Sequence, residues 1–157
     1  MQKITTFLWF DTQAEEAARF YTSVFANSRI TTVTHYGEVG PGEAGTVMTV
    51  AFELDGQGFV ALNGGPLFHF SEAISLQVDC ADQQEVDELW AKLTADGGAG
   101  GPCGWLKDRY GLSWQIVPRI LTELIADPDA AKAGRVTAAM LQMQKIEIQP
   151  LLDAARG

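Results

Sequence analysis

One strand-and-helix pattern occurs twice in this chain, and the duplication constrains the fold more than any other feature of the sequence. The first copy reads FLWFDTQAEEAARFYTSVF and the second reads AISLQVDCADQQEVDELWAKL. In each copy an apolar strand ends at an aspartate, Asp11 or Asp79, and a helical pattern follows. The repeated unit is longer than the repeats that build solenoids, so the sequence predicts a duplicated module.

Both predicted helices have a start signal and one apolar face. Thr12 with Glu15 predicts a capping box for the first helix, and Asp82 with Glu85 marks the start of the second. Apolar residues then recur with helical spacing, at Ala14, Ala17, Ala18, Tyr21 and Phe25 in the first helix and at Val86, Leu89, Trp90 and Leu93 in the second.

Strand signals follow each helix. After the first helix come RITTVTHYG, GTVMTVAFEL and GFVALNGG, and DGQG at 55–58 is a hairpin signal between the last two. After the second helix, DGGAGG leads into CGWLK and LSWQIVP, with DRYG turning between them. We therefore predict an α+β fold of two βαβββ modules within a single domain, 1–157. Module one covers about 1–66 and module two about 67–118.

The C-terminal part, about 119–157, predicts a helical tail. Asp127 is the expected N-cap of a helix that has Pro128 at its first position. An apolar stripe follows at Val136, Ala139, Met140 and Met143, and QPLLDAARG predicts a further helical turn or two. Such a stripe packs either on its own domain, which we favour, or on a partner subunit.

Composition and charge exclude several classes of partner. The chain has 157 residues, 46% of them hydrophobic, which is enough for one core, and its net charge is −9. Negative charge disfavours nucleic acids and anionic membranes, and no apolar run approaches the ~18 residues of a membrane span. The N-terminus is a poor signal peptide, and Cys80 and Cys103 form no CxxC motif. We expect a cytoplasmic protein with reduced, structural cysteines and with neither nucleic-acid nor membrane partners.

Alternation along the strands predicts a pocket. In AISLQVDC the apolar Leu76 and Val78 share one face, while Ser75 and Gln77 share the other. Small-molecule sites mix apolar walls with a few amides and hydroxyls, although a polar sheet face can also simply meet water. The predicted pocket residues are Phe7, Trp9, Asn63, Ser75, Gln77, Trp105, Ser113 and Gln115.

These motifs also carry a family resemblance. The doubled pattern resembles the vicinal oxygen chelate superfamily of glyoxalases, bleomycin-resistance proteins and extradiol dioxygenases. FLWFDTQAEEAARFY, ALNGGP, EAISLQVDC and CGWLKDRYGLSWQIVP resemble its PhnB-like branch, whose members often carry a demethylubiquinone methyltransferase label. The resemblance implies two modules that form a cupped, mostly antiparallel sheet around a pocket, usually in a homodimer.

The resemblance also implies positions for metal ligands, and this chain does not supply them. Gln115 stands where a glutamate is expected, and the other candidate positions hold Ile4, Thr5, Thr6, Asn63 and Ala73. Neutral amides are weak replacements for imidazoles and carboxylates. His69 and Glu72 remain as a possible two-ligand remnant in a loop. We expect a lost metal site, with no metal and no cofactor.

The methyltransferase label has no support in the glycine clusters. DGGAGG leaves a helix and enters a strand, and ALNGGP leaves a strand without opening a convincing helix, whereas a Rossmann-type site needs a glycine turn from strand to helix. Three hypotheses follow. The first is a metal-free domain that binds a small organic molecule, the second is an enzyme of the same superfamily (metal-dependent, or a methyltransferase), and the third is a protein-contact domain with the tail as interface.

Overall fold

Each half of the chain builds one four-stranded mixed sheet. The computed structural model describes residues 2–157, and the chain divides into two compact units, one ending at Phe70 and the other covering Ser71–Gly157. Strands and helices alternate as the duplicated pattern predicts, so the α+β fold of two βαβββ modules with a helical tail is confirmed.

The first unit contains five elements in the order strand, helix and three strands. They are β1 (Thr6–Phe10), α1 (Ala14–Val24), β2 (Arg29–His35), β3 (Val47–Leu54) and β4 (Gln57–Asn63). The strand order is β1-β4-β3-β2, in which β1 and β4 are parallel and the other pairs antiparallel. Asp55 and Gly56 form the predicted hairpin turn, since both have positive φ, 48° and 80°.

The second unit repeats this order and adds three helices. Its elements are β5 (Ser75–Cys80), α2 (Gln83–Thr94), β6 (Ala99–Gly100), a 3₁₀ turn (Pro102–Gly104), β7 (Trp105–Lys107), β8 (Ser113–Pro118), α3 (Arg119–Ile125), α4 (Ala130–Met140) and α5 (Ile148–Arg156). The strand order is β5-β8-β7-β6, with β5 and β8 parallel and the other pairs antiparallel. This second set of strands is shorter than the first.

The helix faces are buried as their periodicity predicts. In α1 the buried residues are Ala14, Ala17, Ala18 and Tyr21. The ring of Tyr21 stacks on that of Phe52, with centroids 6.2 Å apart, and Phe52 stacks on Phe59 at 5.6 Å. The core of the first unit therefore lies between α1 and one face of its sheet.

One of the two predicted start signals is correct. Asp82 caps α2, because its carboxylate accepts a hydrogen bond from the backbone N–H of Glu85 at 2.9 Å. The capping box at Thr12 and Glu15 is wrong, since α1 begins at Ala14 after Gln13 and no side chain of the N-cap residue bonds to it. A residue of β4 supplies the acceptor instead, as described below.

The tail packs on its own unit. Its helix begins two residues later than predicted, because Asp129 rather than Asp127 accepts hydrogen bonds from Ala131 and Lys132. Val136 is buried in a cluster with Val117, Leu121, Leu124, Ile146 and Leu151, and the predicted stripe residues Ala139, Met140 and Met143 pack against that cluster. The apolar stripe thus serves intramolecular packing. Within residues 2–157, no helix combines the length and the apolar character needed to cross a bilayer.

Candidate ligand-binding site

Five of the eight predicted pocket residues share one face of the second sheet. In the parallel pair β5/β8, Ser75 lies opposite Ser113 and Gln77 lies opposite Gln115, while in β7/β8 Trp105 lies opposite Gln115. Residues paired across neighbouring strands project to the same side of a sheet. Two hydroxyls, two amides and one indole are therefore brought together on this face.

Gln115 makes a specific contact within this face. Its side-chain N–H donates a hydrogen bond to Ser75 Oγ at 2.9 Å. The serine oxygen is the acceptor in this bond, so the hydroxyl proton of Ser75 is not used by it. The amide at the position of the expected glutamate thus binds a neighbouring strand of its own sheet.

Ser113 is the most unusual member of the group. Its side chain is 1% exposed, and its Oγ has no hydrogen-bond partner among the residues that the structure describes. Burying a hydroxyl without a partner costs about 1–3 kcal/mol, so such groups call for an explanation. A hydroxyl that is completed by a bound molecule supplies one.

A cavity of about 470 Å³ lies against this serine. Its wall includes Ser113, Trp105, Lys107, Glu72 and the segment 99–103. The volume is within the range of about 300–1,000 Å³ that is typical of small-molecule sites. The site therefore combines a partly open cavity, an indole ring and an unsatisfied hydroxyl.

Lys107 and Glu72 form an ion pair in the wall of the same cavity. Their side chains are 50% and 60% exposed, so the pair lies nearer to solvent than Ser113. The ammonium group of Lys107, through its hydrogen bond above all, lowers the pKa of the Glu72 carboxyl. From the sequence, Glu72 was expected beside His69 in a metal-site remnant, because an ion pair between residues so far apart in the chain leaves no local pattern.

A buried carboxylate shapes the turn between β7 and β8. Asp108 is 2% exposed, and its oxygens accept hydrogen bonds from the backbone of Tyr110 (2.8 Å), the backbone of Leu112 (3.1 Å) and the indole of Trp114 (2.9 Å). This turn fixes the register in which Lys107 lies opposite Ser113. Asp108 is thus a positioning residue for the cavity wall that the DRYG turn signal alone did not reveal.

Phe7 and Trp9 lie together on one face of the first sheet. Phe7 is 59% exposed, while the indole N–H of Trp9 donates to the carbonyl of Gly65 at 2.9 Å. The ring of Phe68 meets Trp9 edge to face, with centroids 4.9 Å apart. A side chain at Gly64 would collide with the Trp9 ring, so that glycine permits the indole to fold over the end of β4.

Asn63 lies on the opposite face of this sheet from Phe7 and Trp9. It pairs with Phe10, one of the core residues, whereas Phe7 and Trp9 pair with Val60 and Leu62. Its Oδ1 accepts a hydrogen bond from the backbone N–H of Ala14 at 2.8 Å, and its Nδ2 donates to the carbonyl of Val47 at 3.1 Å. Asn63 therefore anchors the start of α1.

The donor set does not fit a divalent metal. Among residues 2–157, no three His, Cys, Asp or Glu side chains lie close enough together to hold an ion. Gln115 is bonded to Ser75, Glu72 is paired with Lys107, and Asn63 is engaged with α1. The superfamily's metal chemistry therefore has no ligand set in this part of the chain.

The glycine clusters lie as the sequence order indicates. The segment DGGAGG, residues 96–101, follows α2 and contains β6, and the cluster at Gly64 and Gly65 follows β4 and leads to β5 without an intervening helix. Gly98 fits tightly, since a side chain there would come within 2.8 Å of the carbonyl oxygens of Leu93 and Lys107. Neither cluster has the strand-to-helix context of a Rossmann nucleotide site.

The two cysteines are free thiols in different surroundings. Burial, together with the nearby carboxylates of Glu85, Asp79 and Asp82, raises the pKa of the Cys80 thiol to about 12. Cys80 therefore stays protonated at neutral pH. Cys103 is partly exposed in the wall of the cavity and adopts a positive φ of 58°.

Comparisons with known proteins agree with this architecture. The sequence model of the 3-demethylubiquinone-9 3-methyltransferase family matches residues 2–117. The PhnB protein from Bacillus cereus is 42% identical with a TM-score of 0.66, and the match covers 74% of this chain and 99% of that one. No protein of curated function matches the chain.

Two more distant structures share the fold alone. Protein PA1353 from Pseudomonas aeruginosa is 16% identical with a TM-score of 0.62, over 75% of this chain and 98% of that one. The fosfomycin resistance protein FosX from Listeria monocytogenes is 13% identical with a TM-score of 0.51, over 75% and 93% of the two chains.

Proposed function

The chain belongs to the 3-demethylubiquinone-9 3-methyltransferase family, a PhnB-like branch of the vicinal oxygen chelate superfamily, and on that premise we propose that it is a metal-free small-molecule-binding protein of the glyoxalase/bleomycin-resistance type. The observation that carries the proposal is the buried, unpartnered hydroxyl of Ser113 in the wall of a cavity of about 470 Å³. A ligand group that bonds to this oxygen removes an unfavourable state of the free protein.

Two further features support binding rather than metal-assisted chemistry. Trp105 gives the cavity wall a flat aromatic surface, on which planar ligands stack favourably. On the same sheet face, outside the residues that line the cavity, Gln115 stands at the position of the expected metal ligand and is bonded to Ser75. The chemistry of the wall suits recognition of an organic molecule.

The experiment is a titration of the purified protein with a panel of small aromatic compounds, followed by tryptophan fluorescence and thermal shift. Trp105→Ala should weaken any binding by about tenfold or more, because it removes the stacking surface. Gln84→Ala is a control, since it removes an amide that bonds to Glu88 on the exposed side of α2. A panel that produces neither a fluorescence change nor a thermal shift would count against the proposal.

The family name points to a second candidate, a methyltransferase. The match over residues 2–117 favours it, and the context of the glycine clusters opposes a Rossmann-type site for S-adenosylmethionine. Calorimetry with S-adenosylmethionine separates the two candidates. Saturable binding at micromolar concentration would favour the transferase, and its absence would leave the binding protein.

We also propose that the chain forms a homodimer. Large apolar side chains of the first unit, including Ile4 (87% exposed), Phe7 (59%) and Leu67 (72%), meet solvent in the single chain. Exposed apolar surface of this kind commonly marks a protein contact. Light scattering of the untagged protein should give twice the mass of one chain, 17.0 kDa, and a monomeric mass would refute the proposal.

A further inference from the structure

The cavity in the second unit has a particular charge arrangement. Among the ten residues that line it, Glu72 and Lys107 alone carry charges, and they form an ion pair with each other. The remainder of its wall is mostly small or apolar, with Trp105, Leu106, Pro102 and neighbouring glycines. The wall thus carries no net charge, although the whole protein carries −9.

Building on the proposed function, we propose that this cavity selects uncharged aromatic molecules that carry a hydrogen-bond acceptor, and that Glu72 sets the selectivity by neutralising Lys107.

The ion pair disfavours charged ligands of either sign. An anionic ligand that pairs with Lys107 either displaces Glu72 or shares the ammonium group with it, and in both cases two negative charges face one positive charge in the wall. A cationic ligand that pairs with Glu72 leaves two positive charges against one carboxylate in the same way. Bringing an uncompensated charge into a mostly apolar cavity costs free energy that a neutral molecule does not lose.

The polar requirement comes from the hydroxyl of Ser113. Its Oγ is buried in the cavity wall and has no hydrogen-bond partner among the described residues. The hydroxyl proton can therefore donate to an acceptor atom of the ligand, such as a carbonyl oxygen. Trp105 offers its ring to the flat part of the same ligand.

A set of four probes with one ring system tests the proposal: naphthalene, 2-acetylnaphthalene, 2-naphthoate and 2-naphthylmethylammonium, each titrated calorimetrically. With the natural protein we expect 2-acetylnaphthalene to bind about tenfold or more tightly than either charged probe. Ser113→Ala should weaken 2-acetylnaphthalene about three- to tenfold and leave naphthalene unchanged. Ser23→Ala, a hydroxyl that bonds to Phe20 on α1, is the matched control.

Substitutions of the pair make the test sharper. Glu72→Gln frees Lys107 and should shift the preference toward 2-naphthoate, whereas Lys107→Gln should shift it toward the ammonium probe. The double variant should restore the preference for the ketone, which also excludes loss of the fold as the cause of a change.

The outcomes separate this inference from the proposed function. If 2-naphthoate or the ammonium probe binds the natural protein as tightly as the ketone, or if Glu72→Gln leaves the preference unchanged, the selectivity proposal is wrong while small-molecule binding stands. If none of the four probes binds up to its solubility limit, the proposed function falls with it. A ketone preference in the natural protein that shifts toward 2-naphthoate in Glu72→Gln and toward the ammonium probe in Lys107→Gln supports the proposal.

Discussion

Gln115 donates its side-chain N–H to Ser75 Oγ at 2.9 Å, across the parallel strands β5 and β8. This bond engages an amide at the position where the family resemblance implies a metal-binding glutamate, and it ties that side chain to a neighbouring strand of the same sheet.

This arrangement predicts that the purified protein holds little divalent metal. We expect plasma mass spectrometry of untagged protein to find less than stoichiometric divalent metal, before and after chelation and re-loading. Gln115→Glu should not create a site by itself, because among residues 2–157 no set of three suitable ligands converges. Stoichiometric metal that returns on re-loading would refute the lost-site interpretation and make His69, Glu72 and Gln115 the first positions to substitute.

Substitution of Asp108 should lower the free energy of unfolding more than most single substitutions in the second unit. Asp108→Ala leaves two backbone N–H groups and the Trp114 indole without their acceptor, so we expect a loss of about 3 kcal/mol or more in the free energy of unfolding. Asp153→Ala, an exposed aspartate on α5, should change it by no more than about 0.5 kcal/mol. Urea denaturation measures both, and equal effects would contradict the assigned role.

Asn63 should act as the cap of α1. Asn63→Ala removes both the acceptor for Ala14 and the donor to Val47, with an expected cost of about 1–2 kcal/mol. Asn63→Asp keeps the acceptor and should recover part of that stability. Chemical denaturation of the three proteins tests the order, and an Asp variant no more stable than the Ala variant would argue against capping.

Cys80 should make stability fall at alkaline pH. Its pKa in the folded protein, about 12, lies above the ordinary 9.0, so the folded state holds the thiol proton more tightly than the unfolded chain. The resulting contribution to the free energy of unfolding is complete below the pKa that the thiol has in the unfolded chain, and it is lost as the pH rises toward 12. Cys80→Ala should flatten the fall in the free energy of unfolding above pH 9, because it removes the group whose proton affinity differs between the folded and unfolded states. Parallel slopes in the natural protein and Cys80→Ala would contradict the prediction.

The tail should stabilise the second unit. Leu151 is fully buried in the cluster around Val136, so Leu151→Ala should cost about 2–5 kcal/mol. Leu141→Ala makes the same change at a site that is 59% exposed and should have little effect. Thermal unfolding distinguishes this role from a pure interface, for which Leu151→Ala would lower dimer affinity and leave the unfolding temperature of the monomer unchanged.

Local periodicity was sufficient to predict the elements and their faces. The alternation in LSWQIV and AISLQVDC correctly separated Trp114 and Ile116 from Ser113 and Gln115, because side chains on a strand alternate whatever the tertiary structure. The helix faces of α1 and α2 followed from spacing for the same reason. These features depend on neighbours in sequence.

Contacts between distant residues escaped prediction. The N-terminus of α1 is capped by Asn63, which is 49 positions from Ala14 in the chain, although Thr12 and Glu15 offered a local signal. The pairing of Glu72 with Lys107 depends on where a loop before β5 meets the end of β7. The missing partner of Ser113 is likewise a property of packing, which no local pattern encodes.

The shortest strand of the fold has a further consequence. β6 consists of Ala99 and Gly100 and forms the outer edge of the second sheet. Long exposed edges allow foreign strands to add to a sheet, and this leads to fibrous aggregates. An edge strand of two residues offers an incoming strand few backbone groups for hydrogen bonding. Because β6 is so short, the sheet is protected on this side against the addition of further strands.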